Sequence, residues 1–296
     1  MEIIKLEQIT NIEHILNNAY EVCQEFDPNS NCRQYLIEKM NQSNSTSYIG
    51  IKDNHIVGLA ILEIVDRMYG NLIMHCELSD NEYEFASHLK NVIGNNILEL
   101  IQFRSNFSFR DAFLDIGLRE KERSRMMHHN IGQYAEVDAW NNISFHELSV
   151  NDSNSCGLIS YSAHKNRQHI ECYDVYASES KRAEFAKDLR NRKHGKAIEN
   201  ASLLMKLNGN PIGLIELVDV KYFDEHVGWI MDVALLPQFQ GMGYGQYLIK
   251  KALSECYKAG YNKVGLGVTL TNKGAYNLYQ NLGFEEYEIF VEIIGA

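Results

Sequence analysis

No stretch of this sequence approaches the ~18 consecutive apolar residues that a membrane-crossing helix needs. The opening residues, Met1-Glu2-Ile3-Ile4-Lys5-Leu6-Glu7, place carboxylates where a secretory leader carries cations and a long apolar run. They read as the start of a domain, and the chain reads as soluble and cytoplasmic. There are only 3 Pro and no Pro/Gly/Ser-rich stretch, so any domain boundary must be a short connection. The six cysteines, Cys23, Cys32, Cys76, Cys156, Cys172 and Cys256, form no C-x-x-C pair, which argues against a zinc ribbon or a redox dithiol and for reduced thiols. His128-His129 is the nearest approach to a metal cluster, but adjacent residues of a strand point to opposite faces, so no bound metal is expected. Basic charge is in deficit: 28 Lys+Arg against 39 Asp+Glu give −11 at pH 7, which disfavours a binder of nucleic-acid phosphates.

What is present is enough chain for two cores, since 296 residues at roughly 150 per domain suggest two domains. Charge divides unevenly: residues 1–148 hold 12 Lys+Arg against 22 Asp+Glu, and the remainder 16 against 17. The boundary is expected at Trp140-Asn141-Asn142-Ile143, separating domains 1–140 and 141–296. The first half reads as a strand at Ile3 to Leu6, helical patterning through Ile12, Ile15, Leu16 and Tyr20, and two strands, Tyr48 to Ile51 and Ile56 to Leu62, flanking a hairpin turn. Then come a strand at Leu72 to Met74, a helix from Glu82 to Val92, a strand at Ile97 to Ile101, a helix around Phe109 to Ile116 and a last extended run.

The second half repeats this order, with a strand at Ile143 to Leu148, a long polar helical region and a hairpin of Leu203 to Leu207 with Ile212 to Leu217 across Asn208-Gly209-Asn210-Pro211. One constant offset sets Gly117 on Gly283, Asn106 on Asn272, Phe113 on Tyr279, Ile116 on Leu282 and Leu118 on Phe284, a pattern expected of a duplicated domain.

The chemistry concentrates late in the chain. Trp229 to Leu236 is an apolar strand stopped by Pro237, after which Gln240-Gly241-Met242-Gly243-Tyr244-Gly245 opens a helix from Gln246 to Ala259. A glycine-rich turn that delivers a helix start presents free N–H groups and the positive end of the helix dipole, which suits a pyrophosphate. A Walker A loop is excluded, because Gly245-Gln246-Tyr247 lacks Gly-Lys-Ser/Thr, and the dinucleotide fingerprint fails because Gln246 stands where its third glycine is needed. What remains is Q-x-x-G-x-G on Gln240, Gly243 and Gly245.

With that motif, the strand Val264 to Val268 and the series Asn272, Ala275, Leu278, Tyr279, Leu282, Gly283 and Phe284, residues 143–296 resemble the GNAT superfamily of N-acetyltransferases. The first half fits only as a degenerate copy, with Glu77-Leu78-Ser79-Asp80 in place of a glycine-rich loop. The resemblance implies an α/β fold, a mixed sheet flanked by helices, in two tandem acyl-CoA N-acyltransferase-like domains of which 1–140 is non-catalytic. It implies acetyl-CoA as co-substrate, with Gln240, Gly241, Met242, Gly243, Tyr244 and Gly245 at the phosphates and the Leu235 N–H facing the thioester carbonyl. Asn272 is expected at the pantetheine arm or the helix start.

Tyr279 is the expected general acid, because a phenol near ~10 hands its proton to a thiolate near ~8.5 at a cost of only about 2 kcal/mol. The family's glutamate, four residues before Leu235, is replaced here by Met231; Asp232 is the expected base, with Glu216 and His226 as substitutes, since a carboxylate on an apolar strand needs a reason to be there. The basic run Lys181, Arg182, Lys187, Arg190, Arg192, Lys193 and Lys196 reads first as a solvated helix face, and second as a contact for the CoA 3′-phosphate or an anionic acceptor. Cys256 reads as core. The expected activity is acetylation of a primary amine on a small molecule or peptide, by a protein for which a homodimer is also compatible. The alternatives are an acyl-CoA sensor without turnover and a transferase of another acyl or aminoacyl group.

Overall fold

The computed structural model describes residues 1–6, 32–64, 69–76, 81–93, 102–106, 109–132, 139–165, 174–222 and 225–294. The helix expected through Ile12 to Tyr20, the strand expected at 97–101 and the segment 77–80 lie outside them. The described chain forms two compact units, residues Met1–Met126 with Tyr287–Ala296, and residues Met127–Glu286. The second unit thus begins ahead of the 140/141 point suggested by composition, and the closing strand joins the first. Among the described residues no helix is long and apolar enough to cross a membrane.

In the first unit the strand order is β1 (Glu2–Lys5), β2 (Ser45–Lys52), β3 (His55–Ile64), β4 (Tyr69–Cys76), β5 (Gln102–Asn106) and β13 (Glu285–Ile294), all neighbours antiparallel except the parallel pair β4 and β5. Asp53 and Asn54, both at positive φ, join β2 to β3; short polar side chains tolerate that conformation and it matches the twist of a hairpin. One core brings Phe85, Ala86 and Leu89 of α2 (Glu82–Ile93) and Ala112 and Phe113 of α3 (Arg110–Asp115) onto Leu62, Leu72, Val291 and Ile293. A second gathers Leu36 of α1 (Cys32–Met40) with Ile49, Leu59 and Ile61. β6 (Arg119–Asn130) contains the division between the units.

The second unit orders its sheet β7 (Ile143–Glu147), β9 (Leu203–Leu207), β10 (Asn210–Tyr222), β11 (Glu225–Leu235) and β12 (Lys263–Thr269), with β8 (Lys196–Ala197) also on β10. It is antiparallel as far as β11, and β11 pairs with β12 in parallel. Alternation on β10 sends Leu214 to the layer of α4 (Ser153–His164) and α5 (Glu179–Arg190), and Ile215 and Leu217 to the opposite core, where α6 (Tyr244–Lys258) packs Leu248, Ile249, Ala252 and Leu253. α4 and α5 touch backbone to backbone: a Cβ at Gly157 would lie 2.7 Å from the Glu179 carbonyl oxygen and 2.8 Å from the Ala183 nitrogen. That close approach presses the inner face of α5 onto the sheet.

α7 (Lys273–Asn281) begins on Asn272, whose side chain accepts from the Ala275 N–H (3.4 Å), and ends in a left-handed glycine, Gly283 at φ 89°. Gly283 N–H donates to the Gln280 carbonyl (2.9 Å) and Phe284 N–H to the Tyr279 carbonyl (3.0 Å), a Schellman ending. α3 ends identically: Gly117 has φ 87°, its N–H donates to Leu114 (3.0 Å), and Leu118 N–H donates to Phe113 (3.0 Å). Phe113 therefore holds, in its own helix, the position that Tyr279 holds in α7.

Candidate active site

β11 and β12 pair only over Gly228 to Ile230 with Val264 to Leu266, and beyond that point the register stops although both strands continue. On its other side β11 stays on β10, but with a bulge: Ile230 faces Leu217 and Asp232 faces Glu216, leaving Met231 as the extra residue. Leu236 N–H donates to the Ile212 carbonyl (2.9 Å). Hydrogen-bonded and non-hydrogen-bonded pairs alternate along an antiparallel ladder, so the adjoining pair, Leu235 with Gly213, is of the second kind and the Leu235 N–H and C=O turn away from β10. They turn toward the side where β12 has left. Gly213 makes room for this residue, since a Cβ there would lie 2.4 Å from Leu235 Cδ2.

The Leu235 carbonyl is taken by Gln240, whose Nε2 donates to it (2.9 Å). Gln240 is therefore the brace that folds the loop back on the end of β11. Gly241 and Gly243 both adopt the left-handed conformation, at φ 76° and 87°, which only glycine enters without strain, and Gly243 is the N-cap of α6. Gly245 lies where three elements converge, its would-be Cβ 3.5 Å from Leu278 Cδ2 of α7 and 3.6 Å from Leu235 Cδ1. That convergence brings α7, and with it the buried Tyr279, to the end of β11. Met242 is 60% exposed in the loop, and Tyr244 packs on Phe239 and Trp140. The first-turn N–H groups of α6 have no partner within the helix. A diphosphate fits this cradle, because the backbone carries no Cβ at its two left-handed turns and the helix dipole is positive there.

Asp232 and Glu216 sit side by side on the α4 and α5 face of the sheet, both buried. Arg182 of α5 donates from Nη2 to Asp232 Oδ2 and from Nε to Ser160 Oγ (2.9 Å), with its guanidinium between the rings of Tyr176 (4.4 Å) and Phe185 (4.7 Å). His164 Nε2 lies 3.5 Å from Asp232 Oδ1. Burial resists ionisation of Asp232, but the charge of Arg182 outweighs it, and the carboxyl is held far below the usual range. Glu216 behaves in the opposite way: burial and then the Asp232 charge push its carboxyl up to about 7, against Arg190 at 3.8 Å. Among the described residues neither Glu216 oxygen has a hydrogen-bond partner. His226 is exposed and paired with Asp219 (2.8 Å).

The basic run is not simply a solvated face, because Arg182 and Arg190 turn inward while Arg192 and Lys193 pair at the surface with Glu199 and Asp188. Cys256 is fully buried, and burial pushes its thiol up to about 12.

A solved GCN5-related N-acetyltransferase from Sphaerobacter thermophilus matches 98% of this chain and 94% of its own, with a TM-score of 0.69 at 14% identity. The fold is the GNAT fold. Residues 163–284 match the acetyltransferase (GNAT) family profile, a span that contains the Gln240 to Gly245 turn, the splayed strands and α7. A tandem GNAT protein from the clavulanic acid biosynthesis pathway matches 99% of this chain and 97% of its own, with a TM-score of 0.56 at 9% identity. An uncharacterized N-acetyltransferase of Methanocaldococcus jannaschii is 35% identical over 95 residues, 31% of this chain and 42% of the relative. An N-alpha-acetyltransferase of Sulfurisphaera tokodaii is 31% identical over 107 residues, 32% of this chain and 63% of the relative. The matched residues thus span less than two thirds of either relative.

Proposed function

We propose that this protein is an N-acetyltransferase that moves the acetyl group of acetyl-CoA to a primary amine of a small molecule or peptide by direct attack. The chemistry lies in the second unit, and the first is a degenerate, non-catalytic copy. The observation that carries the reading is the outward-facing Leu235 N–H at the opening between β11 and β12, directly beside the left-handed glycine turn that starts α6. The two Schellman endings at one offset support the duplication, with Phe113 unable to donate the proton that Tyr279 can.

In the reaction the amine nitrogen attacks the thioester carbonyl carbon, the Leu235 N–H stabilises the oxyanion, the C–S bond breaks, and Tyr279 donates its proton to the departing thiolate. The proton lost by the ammonium goes to Glu216, relayed through water. Asp232, kept ionised by Arg182, is a poor proton acceptor, and its part is to raise Glu216 toward neutrality. Gln240 and Asn272 serve by bracing the loop and capping α7.

Screening a panel of small amines and peptide α-amines for CoA release, with products identified by mass, tests the reading. The name of the Sulfurisphaera relative makes α-amines the first class to try. Acetyl-CoA binding with no turnover on any amine would return the chain to the sensor reading. Gly243→Glu, which puts a charged side chain on a left-handed turn at the diphosphate cradle, is expected to weaken acetyl-CoA binding about tenfold or more by calorimetry. Unchanged affinity would mean that the cradle lies elsewhere.

The raised carboxyl of Glu216 sets two pH dependences. Ionised Glu216 is the form that accepts a proton, so turnover should climb with pH through about 7 and then level off. Since its folded value lies above the 4.5 of an unfolded chain, the neutral carboxyl adds stability that is fully present below pH 4.5 and lost as pH rises through 7. Glu216→Gln should remove the climb in turnover and flatten the fall in urea-midpoint stability. Persistence of both slopes in the variant would assign them to another group.

A further inference from the structure

Beside the phosphate cradle lies an aromatic residue that the acetyl-transfer chemistry does not use. Trp140 precedes β7, its backbone N–H donates to the Tyr247 hydroxyl (3.3 Å), and its indole stacks on the Tyr247 ring at 4.8 Å and 8°. Tyr247 is buried and held edge-on by Phe145 at 5.2 Å, so the indole rests on a fixed platform on α6. Tyr244, from the first turn of the same helix, closes one flank at 5.4 Å. Yet 40% of Trp140 is exposed, so part of an indole held on that platform stays open to a ligand. A Cβ at Gly243 would come 3.2 Å from Trp140 Cη2, which places the six-membered ring of the indole on the border of the loop backbone.

We propose that Trp140 is the adenine-stacking platform of the acyl donor. The inference rests on the acetyl-CoA reading of the cradle and assigns the other end of that molecule. A diphosphate at the left-handed turn leaves one ribose between itself and a purine, so the base falls within reach of a residue that borders Gly243. A flat, polarisable indole held rigid from beneath suits a purine face, and stacking demands no hydrogen-bond partners from the protein. The consequence is discrimination by the nucleotide: donors carrying adenine gain from Trp140, and donors that stop at the phosphopantetheine do not.

Calorimetry on the full chain with acetyl-CoA and with S-acetyl-4′-phosphopantetheine separates the possibilities. Trp140→Leu should weaken acetyl-CoA about tenfold and leave acetyl-phosphopantetheine within about twofold, because only the former carries a base to stack. Equal loss for both donors, or for neither, overturns the proposal while leaving the acyl-donor reading intact. Acetyl-CoA that fails to bind the unaltered chain overturns that reading and this one together. Since Trp140 also packs on Tyr247, a second measurement avoids altering it. In Trp229→Phe, where Trp140 is the only tryptophan, acetyl-CoA should quench the emission and acetyl-phosphopantetheine should not; equal quenching by both overturns the assignment.

Discussion

Arg182→Met is expected to destabilise the second unit by about 3–5 kcal/mol, the scale on which a buried ion pair fails when one partner is removed. The guanidinium is the charge that keeps Asp232 ionised inside the sheet, and it donates to Ser160 as well. Without it, Asp232 either remains as an uncompensated buried anion or takes up a proton at a cost set by how far its carboxyl is now depressed. Two further outcomes identify the mechanism. The loss should shrink as pH falls, because protonating Asp232 removes the unpaired charge. It should also be largely recovered in the double variant Arg182→Met with Asp232→Leu, since replacing both charges by apolar groups often costs little. Denaturant unfolding of the four proteins of this cycle measures all of it. A loss under 1 kcal/mol would show that the Arg182–Asp232 pair does not hold this face of the sheet together.

Tyr279→Phe is expected to slow the chemical step by ~10²-fold or more, the usual contribution of a positioned acid, while stability and acetyl-CoA affinity stay nearly unchanged. The structure contains its own control for the packing half of that statement: Phe113 is buried at the equivalent place before a Schellman ending of the same form. A phenyl ring therefore suits such a position. What the change removes is the phenolic proton, so the effect should fall on turnover at saturating donor and not on the apparent affinity. Single-turnover rates with an amine from the screen decide it. An unchanged rate, at a pH where chemistry limits turnover, assigns the acid role elsewhere and leaves Tyr279 to core packing.

Much of this architecture was legible from local patterns. Asp53-Asn54 and Asn208-Gly209 announced hairpins because few residues enter positive φ without strain, and all four are found there. The Gln240 to Gly245 loop could be read because its glycines are demanded by backbone geometry. The buried ion network could not be read, because it is a matter of pairing across elements: Arg182 looks like one more cation in a basic run until α5 is docked. A faint signal existed, since Arg182 stands four and seven residues before Ala186 and Leu189, the inward face of α5. The bulge at Met231 was equally invisible, for no residue type announces it; yet it sets Asp232 opposite Glu216, where the Asp232 charge adds to burial in raising the Glu216 carboxyl. The membership of the closing strand is likewise not a matter of composition, because it depends on a hydrogen-bond partner, and β13 pairs with β5.

That last pairing bears on how the protein is made. Val291 and Ile293 lie wholly buried in the first unit's core, although they are synthesised after every element of the second. During translation the first unit therefore leaves the ribosome with one edge of its sheet open, on β5, and waits for nearly the whole chain before closing it. Exposed strand edges are the usual entry to misassembly, so this interval is the one in which a chaperone has most to protect. Cutting the gene at residue 140 would make that wait permanent.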